Sequence, residues 1–211
     1  MIRIALVDDH ALMRTGLRMI LEKQSDMEIV GEADDGERGL TSIKQTQPDI
    51  ALVDVHMPGI SGVELTERAR RAKISTRIVI LTVANEAPFP RRLLEAGAWG
   101  YLTKGCPAEE LIKAIRQVAD GKRYIGADVV QQLALATMDG DESPFQKLSA
   151  RELEIAIMLS QGHKANTIAK RLHLSEKTVA TYKARLFEKL GIDNVVALAN
   201  LASVHGLLKK S

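Results

Sequence analysis

The chain has a single cysteine and few aromatic residues, which make up 3% of its 211 positions. With Cys106 alone, no disulfide can form within one chain, and a reducing cytoplasm is the expected compartment. Cores must be built mainly from Leu, Ile, Val, Ala and Met. No run approaches the roughly 18 apolar residues of a membrane span, and Ile4–Val7 is too short for a signal peptide. The sequence therefore predicts a cytoplasmic protein without a membrane segment.

Charge is divided unevenly along the chain. The net charge is +2, but residues 148–211 carry a net +5 and residues 1–147 a net −3. This asymmetry predicts two domains, and the basic one is a candidate for meeting a polyanion. The acidic Gly/Ser/Pro stretch at 139–144 is typical of a linker. We expect a first domain at 1–122, a linker with a candidate short helix at 123–147, and a second domain at 148–211.

The first 120 residues alternate between short apolar segments and helical patterns. The predicted strands are Arg3–Val7, Ile29–Ala33, Ile50–Asp54, Arg77–Thr82 and Gly100–Leu102. The predicted helices are Ala11–Glu22, Gly36–Gln45, Val63–Ala72, Pro88–Ala96 and Pro107–Asp120. Five strand-then-helix repeats predict an α/β flavodoxin-like domain, with a five-stranded parallel sheet in the order 2-1-3-4-5.

Residues 148–211 show only helical patterns. The predicted helices are Ala150–Gln161, Ala165–Leu172, Glu176–Leu190 and Val195–Val204. Ser149 and Glu152 form a capping-box pattern in front of the first of them. A turn of helix-turn-helix length separates the second helix from the third. The pattern predicts an all-α four-helix domain that contains a helix-turn-helix.

Five polar residues follow or end the predicted strands of the first domain. They are Asp8, Asp9, Asp54, Thr82 and Lys104. Because ligands of such sheets sit at the carboxyl ends of the strands, these side chains should converge. Three close carboxylates repel one another unless a cation joins them, and Mg²⁺ binds through few carboxylates together with waters and phosphate oxygens. Aspartate is also a nucleophile that forms aspartyl phosphate, whose oxygens a Lys and a Thr hydroxyl can bind.

These residues, with the segments 54–62 and 101–104, resemble the receiver domain of two-component response regulators over the whole of residues 1–120. The resemblance implies that Asp54 accepts a phosphoryl group from a sensor histidine kinase. It implies no enzymatic activity beyond this self-phosphotransfer and autodephosphorylation. It also implies a Mg²⁺ ion held by Asp8, Asp9, Asp54 and the backbone carbonyl of His56. Thr82 and Lys104 would engage the phosphoryl oxygens, and Tyr101 would turn inward as part of the switch.

The third helix of the basic domain, Glu176–Leu190, has two unlike faces. Val179, Leu186 and Leu190 share an apolar face at helical spacing. Small and basic residues on the other side suit a helix that enters the DNA major groove, although an ordinary solvated amphipathic helix shows a similar pattern. The candidate DNA-binding residues are Lys177, Thr178, Ala180, Thr181, Lys183, Ala184, Arg185 and Lys189.

The segments Leu148–Glu154 and Ile168–Val179 resemble the motifs of LuxR-type helix-turn-helix domains. The two domains together resemble response regulators of the NarL/FixJ type. The segments 87–97, 121–125 and 143–145 extend the resemblance to the GacA/UvrY group. The resemblance implies a homodimer, formed on phosphorylation or on DNA, that binds palindromic promoters and acts on RNA polymerase indirectly. In that group the promoters often drive small regulatory RNA genes. Ala180, Thr181 and Ala184 would face the bases, so thymine methyl groups, water bridges and DNA shape would carry much of the specificity.

Two other interpretations stay open on the sequence. The acidic pocket could belong to a phosphatase with a carboxylate nucleophile, although Asp8 and Asp9 are adjacent and Asp54 follows the third strand rather than the first. The first domain could instead be an interaction module that works without phosphorylation. Turnover of a phosphate ester would favour the former interpretation.

Overall fold

The computed structural model describes residues 1–82, 96–127, 129–130, 143–172 and 174–205. The chain divides into two compact units, residues 1–138 and 139–211. The predicted helices at 88–96 and 127–137 lie mostly outside the described residues. In the part of the chain that is described, no helix is both long and apolar enough to cross a membrane.

The first unit alternates strands and helices as the sequence predicts. Its strands are β1 (Ile2–Val7), β2 (Met27–Ala33), β3 (Ile50–Asp54), β4 (Arg77–Thr82), β5 (Gly100–Thr103) and β6 (Tyr124–Ile125). Its described helices are α1 (Ala11–Leu21), α2 (Gly36–Thr46), α3 (Gly62–Arg71) and α4 (Ala108–Ala119). Side-chain caps support the starts of α2 and α3, where Asp35 accepts a hydrogen bond from the amide of Arg38 and Ser61 from that of Glu64.

All strand pairs are parallel, and the sheet order is β2-β1-β3-β4-β5-β6. The predicted order of the first five strands is confirmed, but the sheet has six strands rather than five. Strand β6 lies inside the predicted linker. It is held by the amide of Tyr124, which donates to the carbonyl of Trp99, and by that of Gly126, which donates to Tyr101. Two residues are too few to show a strand periodicity, so the sequence pattern does not reveal this strand.

The sheet aligns the ends of its central strands. Strand β3 is buried along its whole length, and β1 is buried from Ile4 to Val7. In the register of the sheet Val7 pairs with Val53, Asp54 with Leu81, and Thr82 with Thr103. Residues that directly follow β1, β3, β4 and β5 therefore meet at one edge of the sheet.

The second unit consists of helices. They are α5 (Ala150–Ser160), α6 (Ala165–Arg171), α7 (Glu176–Leu190) and α8 (Val195–Val204), preceded by a 3-10 turn at Pro144–Lys147. The four-helix prediction is confirmed, and the bounds of α7 and α8 are those predicted. Phe145 in the 3-10 turn is buried although the sequence places it in the linker. The chain thus enters the second unit a few residues before its first α-helix.

Candidate functional sites

The carboxyl ends of β1, β3 and β5 bring a lysine between two buried aspartates. Asp8 and Asp54 are 2% and 3% exposed. The Lys104 Nζ atom lies 2.9 Å from Asp8 Oδ2 and 2.8 Å from Asp54 Oδ2. A hydrogen bond of 2.6 Å from the Lys104 amide to the Thr82 carbonyl holds the loop after β5 against β4. The structure therefore assembles the pocket that the strand ends predict.

A close backbone contact fixes the loop that follows Asp54. The amide of Gly62 donates to the carbonyl of Val55 at 2.9 Å. A Cβ atom at position 62 would lie 2.2 Å from the carbonyl oxygen of Asp54, so any side chain there would displace the backbone of the pocket. Glycine at this position lets α3 begin directly beside Asp54.

Burial and charge act against each other at Asp54. Burial is the main reason why the pKa of the Asp54 carboxyl is raised, to about 6; Asp8 contributes to the rise, while Lys104 and His56 oppose it. Burial lowers the pKa of the Lys104 ammonium, but the carboxylates of Asp54 and Asp8 outweigh this effect and leave that pKa raised. Lys104 therefore stays charged at neutral pH and offsets the repulsion between the two aspartates.

The donor set of the pocket suits a hard cation. Asp8, Asp9, His10 and Asp54 each offer one ligand atom, and these atoms all lie within 4.8 Å of one another. Carboxylate oxygens dominate the set, as Mg²⁺ prefers. The hydroxyl of Thr82 is buried on the adjacent strand and makes no hydrogen bond with any residue that the structure describes. A buried hydroxyl without a partner is costly, and the oxygen of a bound anion would satisfy it.

One residue at the pocket escapes the sequence analysis. His10 Nδ1 lies 2.7 Å from Asp9 Oδ1 and 3.3 Å from Asp8 Oδ1, and its side chain is 66% exposed. Its only signal in the sequence is its position directly after the two aspartates.

Of the other predicted residues, His56 is half-buried and Tyr101 is 2% exposed on β5. The side chain of Tyr101 thus lies inward in this structure, and its role as a switch stays a prediction.

Helix α7 presents most of the predicted DNA-binding residues to solvent. Ser175 caps the helix by accepting a hydrogen bond of 3.0 Å from the amide of Thr178. Val179 and Leu186 are fully buried on the inner face. Six predicted positions are exposed on the helix: Lys177, Ala180, Thr181, Ala184, Arg185 and Lys189. The two half-buried ones, Thr178 and Lys183, lie beside the Ser175 hydroxyl and the ring of Phe187.

Lys189, also a candidate for DNA contact, has a partner within the protein. Its Nζ atom lies 2.6 Å from Oε2 of Glu152, a side chain that is only 4% exposed. Glu152 is also part of the predicted capping box, in which its carboxylate accepts from the amide of Ser149 at 2.6 Å and the Ser149 hydroxyl accepts from the amide of Glu152 at 3.3 Å. The capping-box prediction is confirmed. The ion pair with Lys189 is a contact that no pattern in the sequence predicts.

Comparison with known protein families gives each unit a match. Residues 4–116 match the response regulator receiver domain, and residues 146–202 match the bacterial regulatory proteins of the luxR family. The chain belongs to the LuxR-family response regulators. Relatives of this response regulator include GacA of Pseudomonas aeruginosa, 47% identical over 99% of this chain and 98% of that protein. UvrY of Escherichia coli is 45% identical over 98% of this chain and 96% of that protein.

Solved structures agree with this assignment. The response regulator ChrA of a heme-sensing two-component system is 34% identical, with a TM-score of 0.57 over 98% of both chains. RcsB in a complex with DNA is 27% identical, with a TM-score of 0.61 over 96% of this chain and 98% of that one. The response regulator is therefore a DNA-binding regulator of transcription. It belongs to a class of transcription factors rather than to a class of enzymes.

Proposed function

We propose that this response regulator accepts a phosphoryl group on Asp54 from a sensor histidine kinase and then binds palindromic promoter DNA as a dimer. The observation that carries the proposal is the pocket itself. A nearly buried Asp54 carboxylate lies 2.8 Å from the Lys104 ammonium and close to two further carboxylates. The single cysteine supports a reducing cytoplasm as the compartment.

Phosphoryl transfer to Asp54 requires an oxygen nucleophile and positive charge near the phosphoryl oxygens. A carboxylate oxygen of Asp54 attacks the phosphorus, an aspartyl phosphate forms, and the P–N bond to the histidine of the kinase breaks. Asp8, Asp9, Asp54 and the carbonyl of His56 would hold Mg²⁺, which would neutralise charge at the phosphoryl oxygens. The Lys104 ammonium, which already contacts Asp54, pairs with one phosphoryl oxygen. The buried Thr82 hydroxyl, which has no hydrogen-bond partner among the described residues, donates to another.

The new charge then biases an equilibrium between two conformations. Thr82 and Tyr101 lie on neighbouring strands, so a movement of the Thr82 side chain should change the packing around Tyr101. The surface expected to respond includes that of α4, Ala108–Ala119. Release of the DNA-binding unit, receiver dimerisation, or both would follow.

DNA contact is assigned to the exposed face of α7. Ala180, Thr181 and Ala184 would face the bases, with Lys177 and Arg185 among the residues on phosphates.

Helix α8 leaves Val196 and Val204 exposed by 70% and 80%, an apolar surface that a second copy would cover. A two-fold dimer requires a palindromic site with half-sites about one helical turn apart. Promoters of small regulatory RNA genes are the first candidates, given the similarity to GacA and UvrY.

The proposal predicts that a phosphoryl mimic tightens specific DNA binding. We expect beryllofluoride with Mg²⁺ to raise affinity for a palindromic promoter fragment at fixed salt and to shift light scattering from monomer to dimer. Asp54→Ala under the same conditions should show neither change. Equal affinity of wild-type protein with and without the mimic, on a fragment that it binds specifically, would remove the phosphorylation switch from the proposal.

Mg²⁺ affinity should fall as the solution becomes acidic. Because protonation of Asp54 competes with the cation, and its pKa is about 6, ionised Asp54 decreases as pH falls through that value. Lowering the pH from 7.5 to 5.5 should weaken Mg²⁺ binding roughly fourfold on this account. Calorimetric titration with MgCl₂ at the two pH values measures the effect, and Asp54→Asn should flatten the dependence. A wild-type affinity independent of pH would contradict the role of Asp54 as a ligand.

Replacing a phosphate-contacting lysine should weaken binding to every DNA sequence. Lys177 is exposed in the first turn of α7, so Lys177→Ala should lower specific and non-specific affinity about equally. The slope of log affinity against log salt should fall by about 0.9, which corresponds to one lost phosphate contact. Fluorescence anisotropy over a range of salt concentrations gives both quantities. A loss confined to the specific duplex would instead indicate base readout.

A further inference from the structure

Two adjacent side chains in the first turn of α5 reach the two different helices of the helix-turn-helix. Arg151 is 5% exposed, and its Nη2 donates at 2.9 Å to the carbonyl of Leu172, the C-cap residue that follows α6. Its Nη1 also pairs with Glu154 at 2.7 Å. Glu152 points to the other helix and contacts Lys189 of α7 at 2.6 Å. One turn of α5 thus holds both the end of α6 and the last turn of α7.

The contact between Glu152 and Lys189 joins a buried carboxylate to a partly exposed lysine. Glu152 is 3% exposed and therefore poorly screened by water. Burial raises the pKa of its carboxyl, but Lys189 and the amide of Ser149 together reverse this and leave the pKa lowered. A buried charge with a single cationic partner is costly to leave alone, so this pair resists separation.

The position of Lys189 along α7 disfavours a role on the DNA. Recognition helices contact base edges with their N-terminal residues. At 1.5 Å per residue, Lys189 lies about 18 Å along the axis from Lys177, at the opposite end of the helix. Its side chain is 42% exposed, but its ammonium pairs with the buried carboxylate of Glu152 at 2.6 Å.

We infer that Arg151 and Glu152 are positioning residues that set the orientation of α7 against α6, with Lys189 as the anchor of α7 inside the domain. The inference rests on the proposed DNA-binding function. Contacts of small side chains with base edges require close alignment of the helix in the groove, whereas non-specific binding depends mainly on charge. Loosening the anchor should therefore reduce the preference for the specific sequence more than the affinity for DNA in general.

The test compares two lysines of the same helix in the full-length chain. Lys189→Met and Lys177→Met remove one charge each, and Lys189→Arg restores the ion pair. The probes are a duplex that the wild-type chain selects from a random-sequence pool and a scrambled duplex of equal length. Lys189→Met should lose about tenfold in affinity for the selected duplex, the size of one lost base contact, with little loss on the scrambled one. Its salt slope should equal that of the wild type.

The controls separate positioning from phosphate contact. Lys177→Met should weaken binding to both duplexes and reduce the salt slope, and Lys189→Arg should bind as the wild type does. Glu152→Gln keeps a residue that a capping box accepts but removes the charge. Because position 152 is buried and cannot touch DNA, its loss of specificity should match that of Lys189→Met. If Lys189→Met behaves like Lys177→Met, or if Glu152→Gln binds normally, the inference is overturned.

A second measurement works without DNA. In the full-length chain, Lys189→Met and Glu152→Gln should shift the same amide resonances between Thr178 and Arg185, although neither substitution lies in that segment. Unchanged resonances there would overturn the positioning role. If the wild-type chain selects no duplex, the DNA-binding proposal fails, while these resonances still decide whether the anchor orients α7. Circular dichroism confirms that each variant retains its helices.

Discussion

Asp54→Ala should abolish phosphorylation of the protein. After incubation with radiolabelled acetyl phosphate and Mg²⁺, wild-type protein should retain an acid-stable, alkali-labile label, and the variant should retain none. The reason is that Asp54 is the carboxylate that both the Lys104 ammonium and the acidic cluster surround. The other buried aspartate, Asp8, is expected to be occupied with the cation. The loss should be complete, because Asp8 is the other carboxylate that contacts Lys104, at 2.9 Å, and its role in the proposal is to hold the cation.

The control for this experiment is an aspartate outside the pocket. Asp34 is 52% exposed and pairs with Arg38 on the same unit. Asp34→Asn should therefore accept as much label as the wild type. Label that persists on Asp54→Ala would show that another residue is the nucleophile, and peptide mapping of that label would identify this residue.

Leu186→Ala should strongly destabilise the second unit while leaving phosphorylation intact. Leu186 is 0% exposed on the inner face of α7. Replacing a buried leucine by alanine costs about 2–5 kcal/mol, from lost apolar burial and the cavity that remains. That is a large share of the roughly 5–15 kcal/mol that stabilises a typical domain. Because the chain folds as two compact units, the first unit should still accept a phosphoryl group.

Urea unfolding of the full-length chain, followed by circular dichroism, measures this loss. The matched control is Val196→Ala, since Val196 on α8 is 70% exposed. A surface change of this kind shifts stability by about 0.5 kcal/mol or less. If Leu186→Ala shifts the transition no more than Val196→Ala does, Leu186 does not support the domain as its burial indicates.

The pocket is predictable from sequence because parallel sheets obey a simple rule. The side chains that follow neighbouring strands meet at one edge, and Asp8, Asp54 and Lys104 do so in the structure. His10 is missed because it follows the strand as a single exposed residue with no periodic signal. The helices of the second unit are predictable because their caps, such as Ser149 and Ser175, are local signals.

Long-range partners are what the sequence hides. Lys189 reads as one more basic residue on a candidate DNA-binding helix, because its partner is 37 positions away. The capping-box role of Glu152 is visible within four residues, whereas its ion pair depends on how α5 packs against α7. Strand β6 is hidden for a related reason, since a two-residue strand is defined by its neighbour β5 and not by its own pattern.

Strand β6 also determines where the first unit can be separated from the second. It covers the outer edge of β5, whose amides and carbonyls would otherwise be open to pairing with another chain. A receiver ended at residue 122, where the sequence pattern stops, would uncover that edge and invite edge-to-edge aggregation. A fragment that continues past Gly126, whose amide donates to the Tyr101 carbonyl, keeps the edge closed. Separating the two units as soluble fragments therefore depends on Tyr124, Ile125 and Gly126, which the sequence pattern assigns to the linker.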